Sequence, residues 1–190
     1  MKSLEERIIK DGKVYPGNIL KVDSFLNHQI DIGLMDEMAE ELYGIYKDEG
    51  VTKVLTIEAS GIAIASSVAR RFGVPMLFAK KAKSQNIGGN VYTSRITSFT
   101  YKKDYDITLS KNYLTSEDTV IIVDDFLATG NAMKGLLKIC KYAGAKVAGI
   151  GICIEKGFQC GGTEIRDMGY NVTSLAIIES MGDDGTIVFR

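Results

Sequence analysis

Two adjacent acidic residues lie between an apolar run and a loop of small residues in the middle of the chain. Residues 120–123 are all β-branched, Asp124 and Asp125 follow, and Thr129 and Gly130 precede a stretch with helical spacing. Backbone N–H groups at the start of such a helix bind anions, and glycine lets a phosphate approach closely. The carboxylates would repel that phosphate, so we expect them to face sugar hydroxyls or a cation. The segment therefore predicts a site for ribose 5-phosphate rather than a capped helix beside solvated acids.

A second turn of small residues follows another apolar run. Ala59, Ser60 and Gly61 stand between a predicted strand and a predicted helix, and they would offer N–H donors and one hydroxyl. Taken alone, this turn is more typical of an ordinary strand–helix junction than of a binding loop. Beside a phosphate site on a nearby strand end, it becomes a candidate for a second anion loop.

The charged residues argue against a nucleic-acid-binding protein. The chain carries 23 basic and 24 acidic residues, which gives a formal net charge of −1. Nucleic-acid-binding proteins usually have a basic excess or a basic stripe. The cluster of Lys80, Lys81 and Lys83 is too small to indicate duplex binding, and taken alone it is typical of a solvated edge. We therefore expect no nucleic-acid partner.

The composition is typical of one compact domain. The 190 residues include 20 glycines and 2 prolines, with 45% hydrophobic and 25% charged residues, which excludes a collagen-like or disordered chain. No apolar run approaches the length of a membrane span, and residues 1–12 do not resemble a signal peptide. The three cysteines lack zinc-type spacing, which favours reduced thiols. We expect a single domain over residues 1–190, no membrane contact and a cytoplasmic location.

The chain alternates between strands and helices over most of its length, which predicts an α/β fold with a central parallel sheet flanked by helices. Apolar runs predict strands at 18–25, 51–57, 76–79, 120–123, 147–154 and 171–178. Helical spacing predicts helices at 3–11, from about 34 to 49, at 62–72 and at 131–143. Ser3 and Glu6 fit a capping box for the first helix. This order places both candidate anion loops at the carboxyl ends of strands, where parallel sheets bind ligands.

Residues 80–118 depart from this alternation. They are polar, rich in Lys, Ser, Thr and Tyr, and contain adjacent glycines at 88 and 89. So long a departure inside a compact α/β domain is usually functional and often a lid, and a solvated insertion is the alternative. Residues 90–101 are expected to form a hairpin arm within it.

The segment at 120–132 closely resembles the signature of type I phosphoribosyltransferases, and the likeness extends over most of the chain. The resemblance implies the type I phosphoribosyltransferase fold and the substrate 5-phosphoribosyl 1-pyrophosphate. It implies that Asp124 and Asp125 hold the ribose hydroxyls, directly or through Mg²⁺ that is held mainly by the substrate. The 5-phosphate would bind to the loop formed by Ala128, Thr129, Gly130, Asn131 and Ala132.

The same resemblance assigns a role to the two other segments. Ala59, Ser60 and Gly61 would grip the pyrophosphate, in a loop that often holds a cis peptide bond in this family. Among the lysines after residue 79, Lys81 is the one we expect to reach the pyrophosphate as it leaves. Residues 80–118 would then close over the site as a flexible lid arm, and a homodimer is expected from the family.

The base site is implied by resemblance to the bacterial xanthine phosphoribosyltransferases, which residues 1–8 and 18–29 resemble. Residues 1–35 and parts of the C-terminus would form a hood over the base. Within this hood, Leu20 would pack on the base, and Asn27 would hydrogen-bond to the oxo group that distinguishes xanthine from hypoxanthine. Lys156 would contact the base as a donor without acceptor capacity, which suits a 6-oxo group and opposes a 6-amino group. Phe158 would stack on the base or, equally, pack in the core.

One departure from the family bears on the choice of base. The hypoxanthine–guanine branch usually carries an aspartate in the phosphate loop, placed to take the N7 proton of the base, and Ala128 stands there instead. Xanthine is the more acidic purine and can arrive already ionised, which removes the need for a protein base. An adenine or hypoxanthine–guanine phosphoribosyltransferase, and a non-catalytic regulator that senses 5-phosphoribosyl 1-pyrophosphate, remain the alternatives.

Overall fold

A six-stranded sheet lies at the centre of the computed structural model, which describes residues 1–81, 90–98 and 103–190. In their order across the sheet, the strands are β10 (Ile187–Phe189), β9 (Val172–Met181), β8 (Lys146–Lys156), β7 (Thr119–Leu127), β3 (Lys53–Ile57) and β4 (Met76–Ala79). All but β10 are parallel, which confirms the expected central parallel sheet. β10 is an antiparallel edge strand that was not predicted from the sequence. The short turn at 182–186 explains its direction, because a parallel return needs a long crossover.

Helices cover both faces of this sheet, as the alternation predicts. They are α1 (Lys2–Asp11), α2 (Ile32–Tyr46), α3 (Gly61–Phe72), α4 (Asn131–Ala143) and α5 (Gly161–Asp167). The first three share a buried apolar cluster on one face, and the last two share another on the opposite face. Residues of β7 alternate between these two clusters, which explains why residues 120–123 are all apolar.

The ends of two strands differ from the prediction in a way that matters for chemistry. β4 and α4 begin and end where predicted. β7 continues beyond residue 123 to Leu127, and β8 continues beyond residue 154 to Lys156, because the two strands stay paired as far as Leu127 and Glu155. Asp124 and Asp125 are therefore strand residues rather than part of the following loop.

The capping box predicted at Ser3 and Glu6 is wrong. α1 has Met1 as its N-cap, without a side-chain hydrogen bond. The terminal ammonium group instead donates to the carbonyl of Leu175 on β9 and lies 3.5 Å from the Glu5 carboxylate. Docking of the chain start on the sheet thus replaces a side-chain cap.

The strand predicted at 18–25 is largely wrong. β1 (Lys13–Tyr15) and β2 (Ile19–Lys21) form a short antiparallel hairpin, and a π-helical turn occupies Asp23–Asn27. Phe25 and Leu26 are adjacent and both are buried, which a strand with alternating faces does not achieve. The role of residues 1–35 as a hood stays a prediction.

The hairpin expected within residues 80–118 is present and longer than predicted. β5 (Val91–Ser98) and β6 (Lys103–Ser110) pair antiparallel along their whole length. Ile96 and Ile107 pack on α4 at Gly135. The contact is close, because a Cβ atom added to this glycine would lie only 2.6 Å from Ile96 Cδ1. Residues 82–89 and 99–102 lie outside the described residues. The first of these ranges includes Lys83 and the glycine pair at 88 and 89. The lid role of the arm stays a prediction.

The remaining features concern α5, the cysteines and membrane contact. α5 was not predicted, because its seven residues begin with two glycines and are too few to show helical spacing. Cys140, Cys153 and Cys160 are free, as expected. Among the described helices, none combines the length and the apolar character needed to cross a membrane.

Candidate functional site

The carboxyl ends of β3, β4, β7 and β8 lie along one edge of the sheet, because these strands are adjacent and parallel. The loop at 58–60 follows β3, Lys80 and Lys81 follow β4, and the loop at 128–130 follows β7. Lys156 is the last residue of β8. The fold therefore brings both predicted anion loops and the predicted basic residues to the same edge.

The loop between β7 and α4 has the backbone shape that an anion site requires. Gly130 precedes α4 with a φ of 77°, a left-handed conformation that favours glycine. Its carbonyl accepts the N–H of Lys134 at 2.8 Å, which starts the helix. Thr129, Asn131 and Ala132 are partly exposed beside it. The first turn of α4 thus presents N–H groups and the positive end of its dipole to the edge of the sheet.

Asp125 joins three of the predicted site segments. Its Oδ1 accepts the Ser60 hydroxyl at 3.0 Å, and its Oδ2 accepts the side-chain amide of Asn27 at 3.1 Å. The carboxylate is nearly enclosed, since Asp125 is only 7% exposed. Ser60, Asp125 and Asn27 are expected to contact the pyrophosphate, the ribose and the base, respectively. The Asp125 carboxylate therefore brings these three residues together, although Ser60 and Asn27 lie 65 and 98 residues from it in the sequence.

Asp124 is buried against the start of α3. Its Oδ1 accepts the N–H of Asp125 at 3.0 Å. A Cβ at Gly61 would lie 2.7 Å from this oxygen and 2.2 Å from Oγ1 of Thr56, which explains the glycine. The buried Thr56 hydroxyl has no hydrogen-bond partner in the described part of the chain. Burial, and then the charge of Asp125, raises the pKa of Asp124 well above its usual value, so Asp124 keeps its proton to a higher pH than an exposed aspartate.

The turn after β3 is tied to the start of the basic segment. It contains the cis peptide bond Glu58–Ala59 and leads to Ser60, the N-cap of α3. The N–H of Glu58 donates to the carbonyl of Ala79 at 3.0 Å, and its carboxylate accepts the N–H of Lys81 at 2.6 Å. These bonds hold the second anion loop and Lys81 together. Glu58 was not among the predicted site residues, because its only signal in the sequence is a carboxylate at a strand end.

Lys81 lies close to Asp124 and to the hairpin arm. Its Nζ is 6.0 Å from the centre of the Tyr105 ring on β6, within the range of a cation–π attraction. The charge of Lys81 acts to lower the pKa of Asp124, although burial outweighs it. Burial, and then the charge of Asp124, raises the pKa of Tyr105. Tyr105 therefore belongs to the surroundings of Lys81 and Asp124, a position that no local sequence signal indicates.

Lys156 connects the end of β8 to the N-terminal hairpin. Its Nζ donates to the carbonyl of Asn18 at 2.8 Å and lies 5.9 Å from the centre of the Phe126 ring. Burial lowers the pKa of Lys156. Leu20 on β2 is buried, whereas Phe158 is 37% exposed, which disfavours a core role for its ring. The structure thus brings Lys156 to the hairpin that carries Leu20.

The end of β7 offers the type of donor atom that a divalent cation prefers. Mg²⁺ prefers oxygen ligands, and Asp124 and Asp125 place two carboxyl groups there, of which Asp124 would have to lose a proton that burial favours. The described residues contain no group of three or more His, Cys, Asp or Glu side chains placed to hold a metal ion. An ion at this edge would therefore take its remaining ligands from a phosphorylated substrate and water.

Comparison with known proteins decides the family. A family model of the phosphoribosyl transferase domain matches residues 21–175. The chain belongs to the phosphoribosyl transferase family. A xanthine phosphoribosyltransferase of Bifidobacterium adolescentis is 55% identical over 100% of both chains. Another, from Lachnoclostridium phytofermentans, is 56% identical over 100% of this chain and 98% of that protein.

Solved structures agree with this phosphoribosyl transferase assignment. The adenine phosphoribosyltransferase of Giardia lamblia, complexed with 9-deazaadenine, superposes with a TM-score of 0.79 at 23% identity, over 93% of this chain and 98% of that chain. The enzyme of Thermoanaerobacter pseudethanolicus gives a TM-score of 0.74 at 21% identity, over 92% and 98%. At this identity the likeness concerns the fold alone, and it confirms the type I phosphoribosyltransferase fold.

Proposed function

We propose that this chain is a purine salvage enzyme that transfers the 5-phosphoribosyl group of 5-phosphoribosyl 1-pyrophosphate to N9 of xanthine. The products are xanthosine 5′-monophosphate and pyrophosphate. One observation carries the proposal: Asp125 joins Ser60 of the second anion loop to Asn27 of the N-terminal segment. These three residues are the ones proposed to contact the pyrophosphate, the ribose and the base, so the three proposed subsites lie next to one another. Full-length similarity to xanthine phosphoribosyltransferases supports the choice of base.

The loop after β7 binds the 5-phosphate in this proposal. Thr129, Gly130, Asn131 and Ala132 supply N–H donors at the start of α4, and Ala128 forms the beginning of the loop. The carboxylates of Asp124 and Asp125 accept hydrogen bonds from the ribose hydroxyls. Both ends of the sugar phosphate are thereby fixed, which places C1 of the ribose between the pyrophosphate loop and the base.

The reaction exchanges one bond at C1 of the ribose for another. The bond to the pyrophosphate oxygen breaks and its electron pair leaves with that oxygen, while the lone pair of N9 forms the new bond. The loop at 59–61 and the ammonium group of Lys81 stabilise the negative charge on the leaving pyrophosphate. Mg²⁺ held mainly by the substrate would supply further positive charge there, and Asp124 and Asp125 are the residues that would contact it.

The base is selected by donors and acceptors on two elements. Lys156 donates but does not accept, so it favours a 6-oxo purine over adenine. Asn27 offers a donor and an acceptor, which suits the oxo edge that separates xanthine from hypoxanthine. Leu20 and Phe158 pack against the faces of the ring. These assignments distinguish xanthine from adenine and from hypoxanthine.

Ionised xanthine is the form that we expect to react. Ala128 has no side-chain acceptor for the N7 proton, and the charge of Lys156 balances the negative charge of an ionised base. The rate with xanthine should therefore rise with pH as the base ionises and level off above the pKa of xanthine. Initial rates measured across this range at saturating 5-phosphoribosyl 1-pyrophosphate test the idea, and a flat profile contradicts it.

One assay separates the alternative functions. The protein is incubated with 5-phosphoribosyl 1-pyrophosphate, Mg²⁺ and xanthine, hypoxanthine, guanine or adenine in turn, and nucleotides are separated by chromatography. We expect xanthosine 5′-monophosphate to form fastest. Faster product with adenine identifies an adenine enzyme, and faster product with hypoxanthine or guanine identifies the other branch. Binding of 5-phosphoribosyl 1-pyrophosphate without any nucleotide product identifies a regulator.

The partners of the proposed enzyme are small molecules. We infer a homodimer in the cytoplasm that contacts neither nucleic acid nor membrane, in keeping with the near-neutral net charge of −1. Size-exclusion chromatography with light scattering measures the oligomeric state directly. A mass of one chain at all concentrations contradicts the dimer.

A further inference from the structure

The proposed 5-phosphate loop, residues 128–132, rests on the start of α5. The N–H of Gly161 donates to the carbonyl of Ala128 at 3.0 Å. A Cβ at Gly130 would lie 3.1 Å from Gly161 Cα and 3.2 Å from Cδ1 of Ile165. The loop and the helix therefore touch through backbone atoms as well as through one hydrogen bond.

Gly161 makes this contact very close. A Cβ there would lie 2.3 Å from the Ala128 oxygen, 2.5 Å from the Gly130 nitrogen and 2.7 Å from the carbonyl carbon of Thr129. All three are backbone atoms, so no side-chain rotation relieves the overlap. The φ of Gly161 is not positive, so its own conformation does not require glycine. The close approach of the loop is the physical reason for a residue without Cβ at this position.

An ion pair whose carboxylate is buried holds α5 against the sheet. Arg166 of α5 donates to both carboxylate oxygens of Glu155 on β8, at 2.8 and 2.7 Å, and the hydroxyl of Ser174 on β9 donates as well. Glu155 is 2% exposed, and a Cβ at Gly162 would lie 2.0 Å from its Oε1. A bidentate pair fixes direction as well as distance. α5 therefore presents Gly161 to the loop in one position.

We propose that Gly161 is a positioning residue for the 5-phosphate loop, a role that rests on the proposed function. Its N–H holds the carbonyl of Ala128 toward α5, and its missing side chain lets the loop lie against the helix. A carbonyl oxygen turned toward a phosphate repels it, whereas the N–H groups of the loop must face the phosphate together. A Cβ at 161 displaces the loop from this arrangement and leaves the pyrophosphate loop at 59–61, on β3 and α3, in place.

Two half-substrates separate the two loops in a binding experiment. Ribose 5-phosphate occupies the 5-phosphate loop, and pyrophosphate with Mg²⁺ occupies the other, so calorimetry measures each loop alone. We expect Gly161→Ala to weaken ribose 5-phosphate binding at least about tenfold and to change pyrophosphate binding by less than about twofold. Gly44→Ala is the matched control, because nothing lies within 4 Å of a Cβ there, and both affinities should stay unchanged.

A milder variant tests the same contact if Gly161→Ala does not fold. Ile165→Val removes the Cδ1 atom that lies beside Gly130 and should weaken ribose 5-phosphate binding about threefold, with pyrophosphate binding unchanged. Ile150→Val, a fully buried change in the same apolar cluster, is its control and should affect neither ligand. A purely structural role for α5 would lower both affinities together or leave both unchanged.

The outcomes separate this inference from the proposed function. Unaltered ribose 5-phosphate affinity in both α5 variants, or an equal loss for both ligands, overturns the role of Gly161 and leaves the proposed function standing. Wild-type protein that binds neither half-substrate overturns the proposed function and the inference with it. A selective loss of ribose 5-phosphate binding supports the positioning role.

Discussion

Replacing Arg166 with methionine tests the ion pair beneath the proposed phosphate loop. Glu155 is 2% exposed and takes two hydrogen bonds from Arg166. Methionine keeps much of the apolar stem of arginine and removes the charge. The Glu155 carboxylate then stays buried with the Ser174 hydroxyl and without a cation. We expect a substantial loss of stability.

The size of the loss follows from the burial of Glu155 and the partial exposure of Arg166. Removing one partner of a buried ion pair costs about 3–5 kcal/mol because the other charge stays unpaired. The side chain of Arg166 is 35% exposed, so water can reach the vacated space, and the lower end, about 3 kcal/mol, applies. For a domain of this length, this corresponds to a decrease in Tm of about 6–12 °C.

The loss should depend on pH with a definite sign. In the native protein burial acts to raise the pKa of Glu155, but the hydrogen bonds from Arg166 and Ser174 bring it below its usual value. Its stabilising contribution is therefore present above the unfolded pKa and is lost as the pH falls through the folded pKa. Without Arg166, burial raises the folded pKa above the unfolded one, so the variant regains stability as the pH falls. The difference in Tm should be larger at about pH 7.5 than at about pH 5.

Thermal unfolding followed by circular dichroism measures both quantities. Lys134→Met is the matched control, because Lys134 is also 35% exposed and its partner Glu164 is 47% exposed. A surface pair of this kind contributes about 1 kcal/mol or less. The double variant Glu155→Gln, Arg166→Met should recover part of the loss, since it removes the buried charge. A decrease no larger than that of the control, or a difference that grows as the pH falls, refutes the reasoning.

Three further substitutions address the candidate site. Lys156→Met should raise KM for xanthine at least about tenfold and KM for 5-phosphoribosyl 1-pyrophosphate less than about threefold in steady-state assays, and equal effects contradict a base contact. Gly61→Ala places a Cβ 2.2 Å from Thr56 Oγ1 and should lower the free energy of unfolding by about 1–3 kcal/mol, measured as a lower Tm. An unchanged Tm would show that α3 shifts to relieve the overlap, and would contradict the prediction. Tyr105→Leu should lower kcat about two- to fivefold by removing the ring near Lys81, whereas Tyr105→Phe should retain it; equal losses show that the ring is not the cause.

Most of the sheet and the positions of the two strand–helix turns at 58–60 and 128–130 could be predicted because their signals are local. Apolar β-branched runs mark buried strands, and β4 and α4 lie where their own residues predict. Gly130 and Gly144 take positive φ values at the two ends of α4, which a glycine in those places indicates. The small residues of each of these two turns likewise show where the backbone must leave room.

Elements without a periodic signal were missed or misplaced. α5 has seven residues and begins with two glycines, so its helical state depends on the loop and the ion pair that it packs against. The N-terminal hairpin and the π-helical turn depend on the burial of Phe25 and Leu26 under α1 and α2. β10 is three residues long and is stabilised by pairing with β9.

By itself, the sequence determined which chemistry each side chain can perform: two adjacent acids, two loops of N–H donors, and lysines after strand ends. Only the tertiary structure decided which of these groups meet. Asn27, Ser60 and Asp125 share hydrogen bonds, and Lys156 reaches Asn18 across 138 residues of sequence. The physical reason is that residue type fixes charge and hydrogen-bonding capacity, whereas proximity depends on the strand order, which crossover helices and buried apolar surfaces establish.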